Sequence, residues 1–339
     1  MPSITGVSVV DELPDSTGRR PFQGSGGADT GRLGDRLFGG AARGAGLLVI
    51  ALVTLIAVFL LSQALPALAR NGASFLTSSE WTVSGENPRF GITSLLWVTV
   101  SSSVIAMTIA VPVGVGVALF VTQYSPAWLS RPAASLIDLL AAVPSIIYGI
   151  WGAFVFGPHV VGLQNVLNKL LGWIPLFGND TGGVGSSGTI FFIGIVLAIM
   201  VLPIVTALSR EVFDQTPTTH KEGALALGAT KWEMIRTSVL PFGKPGVISA
   251  SMLGLGRALG ETVAVLIILS SLAGDPTWSW SVFNGGETFA SKIANNAAEF
   301  DSAQQTGAFI AAGLVLFILT FIVNAIARVV IERRKVFSE

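Results

Sequence analysis

The chain has 339 residues, 51% of them hydrophobic and only 12% charged, and its mean hydropathy of +0.70 lies outside the balance of a water-soluble domain. A formal net charge of +0 supplies no whole-chain field that would draw nucleic acid, so no nucleic-acid partner is expected. The absence of cysteine excludes disulfides, thiolate metal sites and cysteine nucleophiles, and His159 and His220 have no companions at ligand spacing.

Residues 1–43 are rich in Gly, Ser, Asp and Arg, lack apolar periodicity and are expected to form a disordered cytoplasmic tail. No apolar core lies near Met1, so the first hydrophobic segment reads as a retained anchor and not as a cleaved signal peptide. Residues 44–339 read as one transmembrane domain. A bilayer core about 30 Å thick needs about 20 apolar residues in a helix. Six stretches supply them, at 45–66, 91–122, 132–157, 188–209, 246–272 and 307–331. None shows the period-2 alternation of a barrel strand, so the expected fold class is an all-α membrane protein with six transmembrane helices. The stretch 91–122 exceeds one span and is expected to tilt or to leave the core.

Lys and Arg accumulate in loops that stay in the cytoplasm. One side holds Arg131, Arg210, Lys221, Lys231, Arg236, Lys244 and the basic termini, whereas the other holds Arg70, Arg89, Lys169 and Lys292. Both termini are therefore expected to be cytoplasmic. The external segments carry Trp81, Trp173, Trp278 and Trp280, which suit either membrane anchoring or the docking of an extracytoplasmic partner. The run from Gly182 to Thr189 lacks the Lys-Ser/Thr ending of a phosphate loop; a turn is expected, with a Ser or Thr capping the fourth span.

The longest cytoplasmic loop, 210–245, is helix-prone between Pro217 and Pro241, which is expected to close it. Small residues at 223, 224, 226, 228 and 229 permit close backbone approach, and Lys221, Glu222, Glu233 and Arg236 supply a polar rim. Glu222-Gly223-Ala224, then Gly228, then Leu240-Pro241 resembles the EAA loop of ABC-importer permeases, which enters a cleft on a nucleotide-binding subunit. Gly223 stands for the usual Ala, and Ser238 for the common Ile. An amphipathic interfacial helix without a partner is the alternative. The chain contains no GxxxxGK[ST], so an ATP-driven step requires a separate subunit.

In the fifth span, GLGRALGETVAVLIIL places Arg257 and Glu261 four residues apart, on one face of a helix. A charge at the helix centre costs roughly 2.5 to 3.5 kcal/mol on insertion scales, so the pair is expected to face protein or water. Two roles stand open: an ion pair that locks helices, or an anion path in which the guanidinium offers its fork of donors to phosphate oxygens. Gly254, Gly256 and Gly260 are expected to let neighbouring helices approach. Asp138, seven residues from Arg131, is placed at the cytoplasmic boundary of the third span.

LLAAVPSIIYGIWG at 139–152, the loop at 210–245 and LGLGRALGETVAV at 253–265, with FGI at the start of the second span, together resemble the phosphate-specific transport (Pst) permeases. The likeness runs from about residue 45 to the C-terminus. Thr262-Val263-Ala264-Val265 is similar to the PstC-type subunit and unlike the PstA type. The resemblance implies a type I ABC-importer permease in the plasma (inner) membrane that moves inorganic phosphate. Its implied partners are a PstA-type second permease, a dimer of PstB-type subunits that bind ATP and Mg, and an extracytoplasmic PstS-type phosphate-binding protein. In that account the chain itself holds no cofactor and is not an enzyme; Arg257 and Glu261 line or gate the path, and the loop couples it to the motor. Rival readings are a permease for another oxyanion, an ion-coupled transporter titrating at Glu261, and a membrane-embedded enzyme.

Overall fold

The computed structural model describes residues 30–85, 87–178, 187–269 and 279–335, whose regular elements are helices apart from one two-stranded antiparallel rung. The chain divides into two compact units, residues 1–56 and 57–339. In the first, the described residues belong to helix α1 (Thr30–Ala69). The helix thus begins inside the segment expected to be disordered to residue 43. No proline interrupts residues 30–43, and Leu33, Leu37, Ala41 and Ala42 are good helix formers. Residues 1–29 lie outside the described residues.

In the second unit, β1 (Trp81–Thr82) pairs with β2 (Arg89–Phe90), Trp81 opposite Phe90. Helix α2 (Thr93–Leu119) runs into a π-helical turn at Phe120–Tyr124. There follow α3 (Ala127–Ala141), α4 (Ser145–Trp151), α5 (Gly157–Leu171), α6 (Ile190–Asp214), α7 (Thr218–Ala226) and α8 (Lys231–Met234). The chain ends with α9 (Leu240–Leu259), α10 (Val263–Leu269), α11 (Phe289–Asn295) and α12 (Ala303–Lys335). Among the described residues, five helices are long and apolar enough to cross a membrane, or six if Lys231–Leu259 and Val263–Leu269, bent by 52°, form one broken span.

The third span differs from its expected bounds of 132–157. Pro144, lacking an N–H and restricting the residue before it, separates α3 from α4. The helix long and apolar enough to span is Ser145–Leu171, with α4 and α5 joined through a π-helical turn at Gly152–Phe156, and it takes in residues expected to form an external loop. Hydrophobicity alone did not separate the two helices, because both sides of the proline are apolar.

Helix α6 is the centre of the unit, packed along α2, α9 and α3. Its N-cap is Thr189, whose side chain accepts the Phe192 N–H at 3.1 Å, the expected cap. Lipid supplies little apolar driving force between helices, so close packing of small residues holds them together. Ala106 and Ala110 of α2 and Ala258 of α9 are buried against Val196, Val201 and Val205 of α6. Gly254 shows how tight the contact is: a β-carbon there would lie 2.6 Å from Val201 Cγ1. Gly256, by contrast, would meet nothing within 4 Å, so only part of the expected glycine stripe serves packing.

The external tryptophans divide. Trp81 is packed edge-on to Phe90 at 5.8 Å and against Phe309 at 5.5 Å, held by protein contacts. Trp280 meets Trp97 at 5.0 Å, whereas Trp173 is 82% exposed. Trp278 lies outside the described residues.

Candidate functional site

Two interrupted helices meet at the centre of the chemistry. At the first break, the Tyr148 hydroxyl donates to the Leu140 carbonyl at 3.0 Å, bridging Pro144; that carbonyl also accepts the Val143 N–H at 3.3 Å. At the second, Gly260 ends α9 with its N–H on the Gly256 carbonyl at 3.3 Å, and the chain turns before α10. Helices α4 and α10 then pack together so closely that a β-carbon on Gly149 would lie 3.0 Å from Ala264 Cα. The segments 139–152 and 253–265, distant in sequence, are neighbours. Discontinuous helices inside a membrane protein are tolerated where they line a protein-enclosed or watery site.

The helix break corrects the expected Arg257–Glu261 arrangement. Because α9 ends at Leu259, Glu261 is not one helical turn beyond Arg257 on the same face, and no ion pair joins them among the described residues. Glu261, buried at 8% exposure, instead accepts the Ala264 N–H through Oε1 at 3.1 Å. It caps α10, a stabilising place for a carboxylate near a helix N-terminus. Arg257 stands in the last turn of α9, where a cation complements the helix dipole. Its Nε is buried without a hydrogen-bond partner, and it lies in electrostatic range of Tyr148. A buried donor left unpaired costs about 1 to 3 kcal/mol, so its retention calls for a reason beyond packing.

The residues of the 210–245 loop form a compact substructure. Glu222, Gly223 and Ala224 lie on α7, Glu222 and Gly223 exposed, with nothing within 4 Å of a β-carbon placed on Gly223. Gly228 makes the turn with φ +85, a left-handed conformation that side chains resist. Thr230 and Glu233 then form a capping box: the Thr230 N–H donates to Glu233 Oε2 at 2.8 Å and the Glu233 N–H to Thr230 Oγ1 at 3.3 Å. Pro241 does not close the loop as expected. Helix continues from Lys231 to Leu259 because a π-helical turn at Ile235–Val239 precedes Leu240, putting Pro241 in the first turn of α9, where its missing N–H is tolerated. Buried Met234, Ile235 and Val239 clamp this segment onto Ala118 and Phe213. Lys231 also sits over the Tyr124 ring at 4.8 Å, tying the loop to the end of α2. Leu225, Leu227 and Trp232 remain 47%, 91% and 56% exposed, an apolar knob on the loop.

Two side chains escaped the sequence reading. Tyr148 stood inside an apolar run whose break at Pro144 was the available clue. Arg210 read as one more loop cation, yet it reaches Asp138 across to α3 at 3.3 Å. Its Nε is also buried without a partner.

Interrupted membrane helices around a basic site, with a capped loop helix standing out from the bundle, define a permease of the binding-protein-dependent transport class. Residues 110–336 match the family described as "Binding-protein-dependent transport system inner membrane component". "Phosphate transport system permease protein PstC 2" of Mycobacterium tuberculosis is 55% identical over 88% of this chain and 92% of its own length. "Phosphate transport system permease protein PstC" of Mycobacterium leprae is 54% identical over 92% of this chain and 97% of its own. The chain belongs to this PstC family of inner-membrane permeases. A chain of the MetNI methionine ABC transporter, in an inward-facing conformation, superposes with a TM-score of 0.50 at 16% identity, covering 71% of this chain and 94% of its own; that likeness concerns the fold alone.

Proposed function

We propose that the chain is the membrane-spanning subunit of an ATP-driven importer of inorganic phosphate, and that Arg257 belongs to the anion path. The observation that carries the path is the buried, unpartnered Arg257 Nε beside two helix breaks, in a chain whose relatives bear the name of phosphate permeases. A guanidinium there offers donors matched to phosphate oxygens without having to break an existing ion pair. Glu261 holds the turn that aims α10 and acts on the path by positioning.

The loop from Glu222 through Gly228 to Leu240 and Pro241 docks on an ATPase subunit. Its exposed Leu225, Leu227 and Trp232 suit a hydrophobic cleft, and in this reading the partner binds ATP and Mg, in keeping with a sequence that carries no GxxxxGK[ST] motif. A homologous PstA-type permease, PstB-type ATPases and an external PstS-type binding protein complete the assembly. Both termini and the loop face the cytoplasm, as the crowding of basic residues on that side supports. Residues 1–43 lie on the same side as a tail ahead of the membrane domain.

Purification of the tagged chain from its native membrane in mild detergent tests the assembly. An ATP-binding subunit and a second permease should come with it. Isolation of a chain active in phosphate uptake without any ATPase would overturn the proposal in favour of ion-coupled transport.

A further inference from the structure

At the loop-bearing ends of α2 and α6 a cleft of about 550 Å³ opens against α3, and none of its lining residues belongs to the helix breaks. Its wall carries both signs of charge: Arg131 and Asp138 from α3, Arg210 and Asp214 from the end of α6. One terminal nitrogen of Arg210 donates to both Asp138 oxygens at 3.3 Å, while Arg210 Nε is buried with no partner. Ser130 and Ser135 add hydroxyls to the lining. The four formal charges cancel. A simple anion entering the cleft would meet two carboxylates as well as two guanidinium groups, so the lining gives it no net attraction. A ligand bearing a phosphate and a primary ammonium answers both signs at once, since guanidinium donors fit phosphate oxygens and carboxylates accept N–H donors.

The surroundings indicate where such a ligand comes from. Helix α3 buries none of its residues, and its Leu136 and Leu139 are 58% and 68% exposed. Trp128, at its first turn, is 76% exposed. Apolar surface flanked by an aromatic residue and charges is the pattern of a helix at the membrane interface. A two-signed polar slot therefore adjoins a surface able to hold acyl chains. We propose that this cleft binds the zwitterionic headgroup of an aminophospholipid, its phosphate on the guanidinium groups of Arg131 and Arg210, its ammonium on Asp214. The site does not depend on the transport reading.

Full-length protein, exchanged into vesicles containing phosphatidylethanolamine, phosphatidylcholine and phosphatidylglycerol at equal fractions, is washed in detergent and its retained lipids are quantified by native mass spectrometry. The expected result is retention of phosphatidylethanolamine about tenfold above the other two, the scale of one charge-assisted hydrogen bond. Arg131→Gln and Asp214→Asn, both at exposed positions, should each bring that retention down towards the phosphatidylcholine level. The wild-type preference is readable even where a variant folds poorly. Equal retention of all three lipids, or preference for phosphatidylglycerol, would overturn the proposal. Displacement of phosphatidylethanolamine by millimolar inorganic phosphate would overturn it as well, marking the cleft as a free-anion site.

Discussion

Glu261 Oε1 accepts the Ala264 backbone N–H at 3.1 Å, so the buried carboxylate of the fifth span closes the helix after it and forms no ion pair with Arg257 among the described residues. Glu261→Ala should therefore destabilise the purified protein by about 1 kcal/mol, the usual loss on removing a helix cap. Glu261→Gln keeps an acceptor and should lose less. Thermal unfolding in detergent compares the two; equal losses would count against the capping role.

The turn at Gly228 needs φ +85, which β-branched residues adopt at a cost of one to a few kcal/mol. Gly228→Val should weaken recovery of the ATPase with the tagged chain, and Gly228→Asn, which visits the left-handed region more readily, should do so less. Gly228→Asp adds a charge at the presumed contact and should uncouple ATPase from transport or prevent assembly even where the turn forms. Membrane expression should survive all three.

The membrane class, most of the helical spans and the helical character of the 210–245 loop were legible in the sequence because bilayer thickness and helix-forming composition impose strong patterns. The breaks were less so. Pro144 sits among residues equally apolar on both sides, and a hydropathy window cannot tell a span from two helices meeting at a bend. The face shared by Arg257 and Glu261 followed from an unbroken helix, and Gly260 was read as a packing residue when it is the C-cap that ends it. Arg210 pairs with Asp138 across 72 positions, a distance no local spacing reports.

Packing of α9 on α6 leaves no room at Gly254, where a β-carbon would lie 2.6 Å from Val201 Cγ1. Gly254→Val should destabilise the bundle by about 1 to 3 kcal/mol through overpacking. Gly256→Ala, with nothing within 4 Å, should be close to neutral. Melting temperatures of the two variants decide whether the contact is as close as described.

Arg89 Nε donates to Glu80 at 2.8 Å across the β1–β2 segment, and that hydrogen bond, followed by the charge, holds the Glu80 carboxyl below its ordinary range. A depressed carboxylate contributes stability above its unfolded pKa and loses that contribution as pH falls through the folded value. Arg89→Ala should raise the Glu80 pKa back to the ordinary range, readable by NMR of the selectively labelled protein. Both side chains are more than half exposed, so the melting temperature at neutral pH should scarcely move.

The most direct test of the phosphate path is uptake of radiolabelled phosphate into proteoliposomes holding the assembled complex, with the charges at 257 and 261 removed singly and together. The structure gives Glu261 a backbone partner, so stranding its charge is not what Arg257→Gln does. The account predicts that Arg257→Gln abolishes ATP-dependent uptake with the complex intact, that Arg257→Lys restores part of it, and that Arg257→Gln with Glu261→Gln stays inactive. Recovery of the double variant to near wild-type uptake would contradict the account and leave the two charges as a helix-locking pair.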